Sequence, residues 1–161
     1  MTSSDIASAR PAIRSDLTGI VELAGLALDE LGEERGGELL LFRDLTMAAE
    51  PGRYADALDQ DRYMVAVGLI DEVVVGYAVA DVSATAEHQL CMIEELFVQV
   101  EARGIGVGAR LLGLIREWAV GAGCRTIESH VLPGNRAAKN FFERVGMVTR
   151  KMQVSTSLYQ G

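Results

Sequence analysis

Cysteine and histidine are scarce in this sequence, with two residues of each among 161. Cys91 and Cys124 stand alone in apolar surroundings, without C-x-x-C spacing and without a histidine cluster nearby. A zinc site needs several such ligands at close spacing, and a disulfide framework needs more cysteines, so the sequence argues against both classes. We therefore expect two ordinary core cysteines, no bound metal and a reducing compartment, the cytoplasm.

Long apolar segments are also lacking. The longest apolar run, around Val73 to Ala80, is much shorter than the roughly 20 residues of a membrane-spanning helix. The first ten residues are small and polar and lack the apolar core of a signal peptide. The sequence thus predicts a protein that neither enters a membrane nor is exported.

Positive charge is in deficit, since the net charge is −8. Proteins that bind nucleic acid concentrate lysine and arginine against phosphate, so this balance argues against that class. The charges are unevenly distributed, because residues 1–98 hold 6 basic and 19 acidic residues, whereas residues 99–161 hold 9 and 4. A basic half can receive a polyanion such as a nucleotide and an acidic half a cationic amine, although a solvated imbalance explains the same numbers.

Hydrophobic content is ample at 49%, and a chain of this length forms about one domain. We predict a single domain over residues 1–161 with a flexible N-terminus over 1–9. Asp16 is the predicted cap of the first helix and Gly76 a predicted bulge. The apolar periodicity predicts strands at 10–14, 90–100, 125–132 and 147–158, a hairpin over 63–82 that turns at 70–72, and helices at 16–31, 38–48, 54–58, 104–121 and 136–145. This order predicts an α+β (mixed α/β) fold, in which helices cover a mixed sheet.

Three glycines, Gly104, Gly106 and Gly108, occur where a predicted strand gives way to a predicted helix. The first N–H groups of a helix have no partner inside the helix, and the positive end of the helix dipole lies beside them. Glycines leave room for an anion to approach these amides closely, and Arg103 adds a cation. The turn therefore predicts a site for a diphosphate.

Two other interpretations of these glycines stay open at this stage. They can simply allow a helix to pack tightly on the sheet. The pattern Gly104-x-Gly106-x-x-Ala109 also fits the dinucleotide-binding fingerprint, with Glu128 downstream. That fingerprint normally ends the first strand of a long parallel fold, whereas about a hundred residues precede it here and about fifty follow, which argues against a dinucleotide fold.

In this context the sequence resembles the GNAT acetyltransferase superfamily. The family signature R/Q-x-x-G-x-G/A is matched by Arg103, Gly106 and Gly108. The resemblance extends over Ile93–Val98 and Asn135–Met147, so it is close over roughly the last seventy residues. It implies a GNAT-like sheet with splayed parallel strands and an N-acetyltransferase that takes acetyl-CoA (coenzyme A) as co-substrate, without a metal. Similar proteins often pair through late strands, so the resemblance also allows a homodimer.

The resemblance further implies which residues hold acetyl-CoA. The backbone of Phe97 and Val98 would pair with the pantetheine arm, because the family spreads two parallel strands apart there. The amides from Arg103 to Ala109 would hold the diphosphate. Asn135 matches a family asparagine that touches the cofactor, although the same residue can simply cap a helix.

One departure from the family bears on the chemistry. Phe142 is expected at the cofactor site, where many members carry a tyrosine that protonates the leaving thiolate, and phenylalanine has no proton to give. Another group such as Tyr77 or Tyr159 then donates the proton, or the thiolate leaves unaided. Alternatively, the domain binds coenzyme A without catalysis and serves a regulatory or interaction role.

An amine with a pKa of about 10.4 must lose a proton before it attacks a thioester, so a base is needed. Glu94 and Glu95 lie on the strand beside the expected thioester position, and because side chains alternate along a strand, only one of them should point into the cleft. Resemblance to diamine acetyltransferases favours Glu94, with Glu95 as second choice and His130 ahead of His88 among the histidines. The acceptor stays open among small cationic amines, aminoglycosides, amino acids and peptide or protein amines.

Overall fold

The computed structural model of the chain describes residues 6–34, 50–154, 156 and 158. The predicted helix over 38–48 and Tyr159 lie outside these residues. The strands are β1 (Ala7–Pro11), β2 (Tyr63–Ile70), β3 (Val73–Ala84), β4 (Gln89–Val98) and β5 (Cys124–Ser129). The helices are α1 (Leu17–Glu33), α2 (Pro51–Leu58), α3 (Val107–Gly121) and α4 (Arg136–Arg144), with single 3-10 turns at Arg14–Asp16 and Val100–Ala102.

The five strands form one sheet in the order β1-β2-β3-β4-β5. Neighbours from β1 to β4 are antiparallel, whereas β5 runs parallel to β4. A parallel neighbour requires a crossover, and α3 supplies it between β4 and β5. This arrangement confirms the predicted mixed α/β fold with a mostly antiparallel sheet.

Helices cover both faces of the sheet, because alternate residues of β2 point to opposite sides. Val65 and Val67 face α1 and α2, where they pack with Ile20. Ala66 faces the other side, where it packs in a cluster with Leu111 of α3. Strand β2 is therefore buried on both sides. Within the described ranges, no helix is both long enough and apolar enough to span a bilayer.

Several predicted boundaries shift in the structure. β1 begins at Ala7, so residues 7–9 belong to a strand and not to a flexible terminus. β5 ends at Ser129 and not at residue 132. Residues 147–154, predicted as a strand from their alternating pattern, form no regular secondary structure. Alternation alone does not make a strand, because a strand also needs a partner for its backbone groups.

Asp16 precedes α1 as predicted, but its side chain makes no cap hydrogen bond to the helix. Its carboxylate instead accepts hydrogen bonds from the Arg10 guanidinium at 2.7 and 3.0 Å and from the Ile13 N–H at 2.8 Å. The hydrogen bond from Arg10 is the main reason that the pKa of Asp16 lies below its usual value. Asp16 thus ties β1 to the start of α1.

The predicted hairpin and bulge are both present in β2 and β3. Asp71 and Glu72 have φ values of 46° and 67°, as in a tight two-residue turn that matches the twist of the strands. The register then skips Val75, next to Gly76. A Cβ at Gly76 would lie 2.8 Å from the Phe97 carbonyl oxygen, so glycine is needed for β4 to approach this closely.

Candidate functional site

The site is built around a break in the pairing of β4. Its register with β3 joins Val79 to Glu95 and Ala80 to Ile93, so Glu94 is an extra residue in a β-bulge. On the other side, β5 pairs with β4 only as far as Ile93. Among the described residues, no strand continues the sheet beyond that point, so β4 has an open edge over residues 94–98. This separation of β5 from β4 beyond Ile93 is the splay that the family resemblance implies.

The hydrogen-bond ladder decides which backbone groups face the open edge. The Gln99 N–H donates to the Val75 carbonyl oxygen at 2.9 Å, and such pairs recur at every second residue of an antiparallel ladder. The backbone groups of Phe97 therefore face β3, whereas those of Leu96 and Val98 face the open edge. The expectation for Val98 agrees with this geometry, but its partner at the edge is Leu96 and not Phe97. Counting back by two from Val98 would have found Leu96.

The glycine turn begins directly after a 3-10 turn that follows β4. Gly104 and Gly106 have φ values of 83° and 104°, a region that L-residues rarely adopt, and α3 starts at Val107. The first N–H to bond within the helix is that of Arg110, which donates to Gly106 O at 3.0 Å. The N–H groups of residues 107–109 thus have no partner inside α3, as the diphosphate site requires.

Gly108 has a different role from the other two glycines. A Cβ at this position would lie 3.2 Å from the Phe141 ring of α4, closer than ordinary contact. The Phe141 ring packs edge-on against the ring of Phe142 at 5.2 Å, and both lie against the core on the α3 side. Gly108 therefore allows close packing, but against α4 and not against the sheet, while Gly104 and Gly106 are required by the backbone.

The Arg103 side chain does not extend toward the glycine amides. Its guanidinium forms two hydrogen bonds with the Glu30 carboxylate of α1, at 2.9 and 2.7 Å, and these raise its pKa. Its Nε donates to the Val98 carbonyl oxygen at 2.8 Å, and the guanidinium lies 5.4 Å from the Phe97 ring centroid. The cation of Arg103 is thus part of an ion pair that joins the open edge of β4 to α1.

Asn135 caps α4, since its Oδ1 accepts a hydrogen bond from the Ala138 N–H at 2.9 Å. The cap interpretation is therefore correct. The Glu34 carboxyl group lies beside Asn135, and its pKa is raised above its usual value mainly by burial. Asn135 remains a predicted cofactor contact, placed near the end of α1.

Both glutamates of β4 reach the same cation, Arg53 of α2. Glu94 accepts a hydrogen bond from its guanidinium at 2.8 Å, and Glu95 accepts another from the second terminal nitrogen. The Tyr54 hydroxyl donates to the remaining oxygen of Glu95 at 2.9 Å. The expected alternation of the two side chains is absent, because the bulge at Glu94 interrupts it, although only Glu94 borders the neighbouring cavity.

Tyr77 lies behind this pair and is almost fully buried. Burial and, after it, the charge of Glu95 raise its pKa far above the ordinary value. Its ring packs edge-on against Tyr54 at 6.0 Å. These contacts give Tyr77 a structural role and remove it as the proton donor for a thiolate.

The histidines lie at different distances from the bulge. His88 precedes the first residue of β4, about 20 Å along the strand from Glu94, and its Nε2 lies 3.5 Å from the Thr126 hydroxyl. His130 follows Ser129, which pairs with Ile93 beside the splay. Of the two, only His130 is near the site.

A cavity of about 370 Å³ lies between α2 and the sheet and reaches Glu94. Gln60, Tyr63 and Val79 contribute to its wall, and Glu50 and Asp56 add carboxylates. The pKa of Glu94 is raised, first by desolvation, against the opposing effect of Arg53. No group of His, Cys, Asp and Glu side chains suited to a metal ion occurs in the part of the chain that the structure describes.

Known proteins share this fold. A mutant of the BH1408 protein from Bacillus halodurans is 23% identical, with a TM-score of 0.79 over 94% of this chain and 99% of that chain. An aminoglycoside N-acetyltransferase in complex with CoA is 17% identical, with a TM-score of 0.73 over 94% and 93% of the two chains. The glucosamine-6-phosphate N-acetyltransferase from Arabidopsis thaliana is 17% identical, with a TM-score of 0.69 over 95% and 99%.

No curated protein sequence matches the chain. At the identities of the solved structures, the likeness shows the fold alone. The sequence itself matches the acetyltransferase (GNAT) family over residues 29–147, which is well over half of its length and includes the splay, the glycine turn and α4. The chain therefore belongs to the acetyltransferase (GNAT) family.

Proposed function

We propose that the protein transfers an acetyl group from acetyl-CoA to a primary amine. The observation that supports this most is the order of three features along β4. The bulge at Glu94 presents a carboxylate to the cavity, the open edge follows at Leu96 and Val98, and the glycine turn follows the end of the strand. A long co-substrate with a thioester at one end and a diphosphate at the other fits this order.

The residues present suit the two ends of coenzyme A. The N–H groups of residues 107–109 can donate to the diphosphate at the start of α3. The outward groups of Leu96 and the Val98 N–H can pair with the amides of the pantetheine arm as an added strand would, while the Val98 carbonyl oxygen accepts from Arg103. When bound, acetyl-CoA supplies an acetyl group already activated as a thioester.

Glu94 is the proposed base for the acceptor. An ammonium group near the bulge loses a proton to this carboxylate, which frees the nitrogen lone pair for attack. The new C–N bond forms as the C–S bond breaks, so the products are the acetylated amine, the CoA thiol and one proton. Desolvation moves the pKa of Glu94 upward, toward the range in which a carboxylate works as a base near neutral pH.

The charges around the cavity favour a cationic acceptor. Glu50, Asp56 and Glu94 line it together with one guanidinium, that of Arg53. The excess of acidic residues in the first 98 positions acts in the same direction, since a negative surface attracts cations at long range. We therefore rank a small cationic amine ahead of a neutral amine as the acceptor. Amino acids and peptide amines are further candidate acceptors.

Calorimetry with acetyl-CoA and a thiol-release assay over a panel of amines test this proposal. Glu94→Gln should slow transfer by about a hundredfold or more, because a general base contributes on the order of that factor. The same variant should bind CoA within about twofold of the wild type, since Glu94 does not touch the diphosphate site. Glu87→Gln, in an exposed loop, is the matched control. Unchanged turnover of Glu94→Gln across pH would remove Glu94 from the mechanism.

A second candidate is a CoA-binding regulatory or interaction domain without turnover. Two observations favour it: Phe142 lacks the hydroxyl of the family tyrosine, and Tyr77 is buried behind Glu95 and cannot replace it. This candidate predicts CoA binding without thiol release for every amine. Steady multiple turnover with any acceptor rejects it. A cytoplasmic location and a homodimer stay predictions, and light scattering in solution tests the second.

A further inference from the structure

Glu94 and Glu95 are neighbours in sequence and share Arg53, but their surroundings differ. The Glu95 side chain is 9% exposed and also accepts the Tyr54 hydroxyl. The Glu94 side chain is 32% exposed and borders the cavity. Two carboxylates and one guanidinium therefore form a group with a net negative charge, and only one of its carboxylates is open to a ligand.

We propose that Arg53 is a positioning residue, which holds the Glu94 carboxylate toward the cavity and keeps it ionised, and that Glu95 is the buried anchor of Arg53. This assignment rests on the proposed function, in which Glu94 is the base. It gives unequal roles to two glutamates that the sequence presents as equivalent.

The hydrogen bonds of Glu95 suit an anchor and not a base. One oxygen accepts from Arg53 and the other from Tyr54. A proton on Glu95 would break at least one of these bonds inside a buried cluster, where an unsatisfied polar group costs roughly 1–3 kcal/mol. Glu95 is therefore poorly suited to accept a proton in each turnover.

Arg53 is itself held in place from three sides. It occupies the first turn of α2, its guanidinium bridges the two carboxylates, and it lies 5.5 Å from the centroid of the Tyr54 ring. A planar guanidinium has several donors in a fixed arrangement and can bond two carboxylates at once, whereas a lysine ammonium acts as a point charge. Bridging thus depends on arginine and not on positive charge alone.

The groups around Glu94 show what Arg53 does to its protonation. Desolvation raises the pKa of Glu94, and the charges of Asp81 on β3 and Glu95 on β4 raise it further. Arg53 of α2 and, more weakly, Arg62 before β2 lower it. The cavity brings two more carboxylates, those of Glu50 and Asp56, to the same side. Without Arg53, the largest opposing effect is lost, so the pKa of Glu94 would rise further and Glu94 would hold a proton at higher pH.

Carbon-13 NMR titration of the glutamate carboxyl groups tests this assignment without any acceptor. The variants are Arg53→Gln and Arg53→Lys, and the matched control is Arg14→Gln, which removes an exposed ion pair with Asp59. We expect the Glu94 midpoint to rise by about one pH unit in Arg53→Gln, the lower end of the usual effect of a nearby opposite charge, because Glu94 is one-third exposed. The Glu94 midpoint of Arg53→Lys should lie between those of the wild type and Arg53→Gln. The midpoint of Arg14→Gln should match that of the wild type.

Activity gives the second readout. The pH profile of kcat/KM for thiol release is measured with putrescine as the first probe. In Arg53→Gln, the midpoint of its acidic limb should move to higher pH by the same amount as the Glu94 midpoint. Glu95→Gln should lower the melting temperature and should not move that limb to higher pH, because it removes a charge that raises the pKa of Glu94. A folded Arg53→Gln with an unchanged Glu94 midpoint overturns the proposal, and if that variant does not fold, an unchanged midpoint in Arg53→Lys overturns it. A wild type that acetylates no amine refutes the proposed function, while the NMR titration still decides the role of Arg53.

Discussion

Replacing Gly106 with alanine tests the diphosphate site with the least change in chemistry. The residue has φ 104° and ψ 0°, and it immediately precedes α3. Nothing lies within 4 Å of the added Cβ, so the methyl group meets no neighbour. The only cost is in the backbone, where a left-handed conformation costs an L-residue roughly 1–2 kcal/mol.

The backbone can relieve this strain by rotating the peptide between Ile105 and Gly106, which changes the φ of residue 106. That rotation turns the Gly106 N–H, just before α3, away from the anion. A hydrogen bond to a charged group contributes about 1.5–3 kcal/mol, so the dissociation constant of coenzyme A should rise about tenfold to a hundredfold. The free energy of unfolding should fall by only about 1 kcal/mol, because alanine also restricts the unfolded chain.

Isothermal titration calorimetry with coenzyme A and with pantetheine distinguishes a loss of diphosphate binding from a general loss of folded structure. Pantetheine lacks the diphosphate, so Gly106→Ala should leave its affinity unchanged. Gly113→Ala is the control, because Gly113 lies in α3 with open space around it and should stabilise the helix by about 0.5–1 kcal/mol. Equal affinity of Gly106→Ala and wild type for coenzyme A would refute the assignment of the turn.

Two further variants test ion pairs that join separate elements. Asp16→Asn should lower the free energy of unfolding by about 1–2 kcal/mol at pH 7, because it weakens the bonds from Arg10. Since the pKa of Asp16 is lower in the folded than in the unfolded state, this difference should be complete above about pH 5 and shrink as pH falls below 4, which urea titrations at several pH values would show. Glu30→Gln should tighten CoA binding up to about fivefold at low salt, because it removes a carboxylate from Arg103, and the gain should vanish at about 1 M salt. A gain that persists at high salt would contradict this electrostatic explanation.

The parts of the site that sequence could predict are those fixed by local chain geometry. Gly104 and Gly106 sit at the predicted strand-to-helix turn because their positive φ values are a property of two or three residues. Asn135 was correctly offered as a cap for the same reason. Such features leave a signal in the order of residues.

The contacts that sequence could not predict depend on distant partners. Glu94 and Glu95 share a face of the sheet because Glu94 is the extra residue of a β-bulge between β3 and β4. The sequence of the two glutamates gives no sign of this bulge. Arg53 lies 41 positions before Glu94 in the chain, in a short helix with no recognised motif. Residues 147–154 have the alternating pattern of a strand, but no strand among the described residues pairs with them.

The splay also has a consequence for the motions of the sheet. Among the described residues, strand β5 pairs with the sheet on one side only, through a short ladder that stops at Ile93, so its local opening should cost little free energy. A ligand that bonds the edge of β4 and the start of α3 would clamp the crossover helix that leads into β5. Amide hydrogen exchange along Cys124–Ser129 should therefore slow as coenzyme A is added. Cofactor binding and the local unfolding of this strand are then thermodynamically coupled.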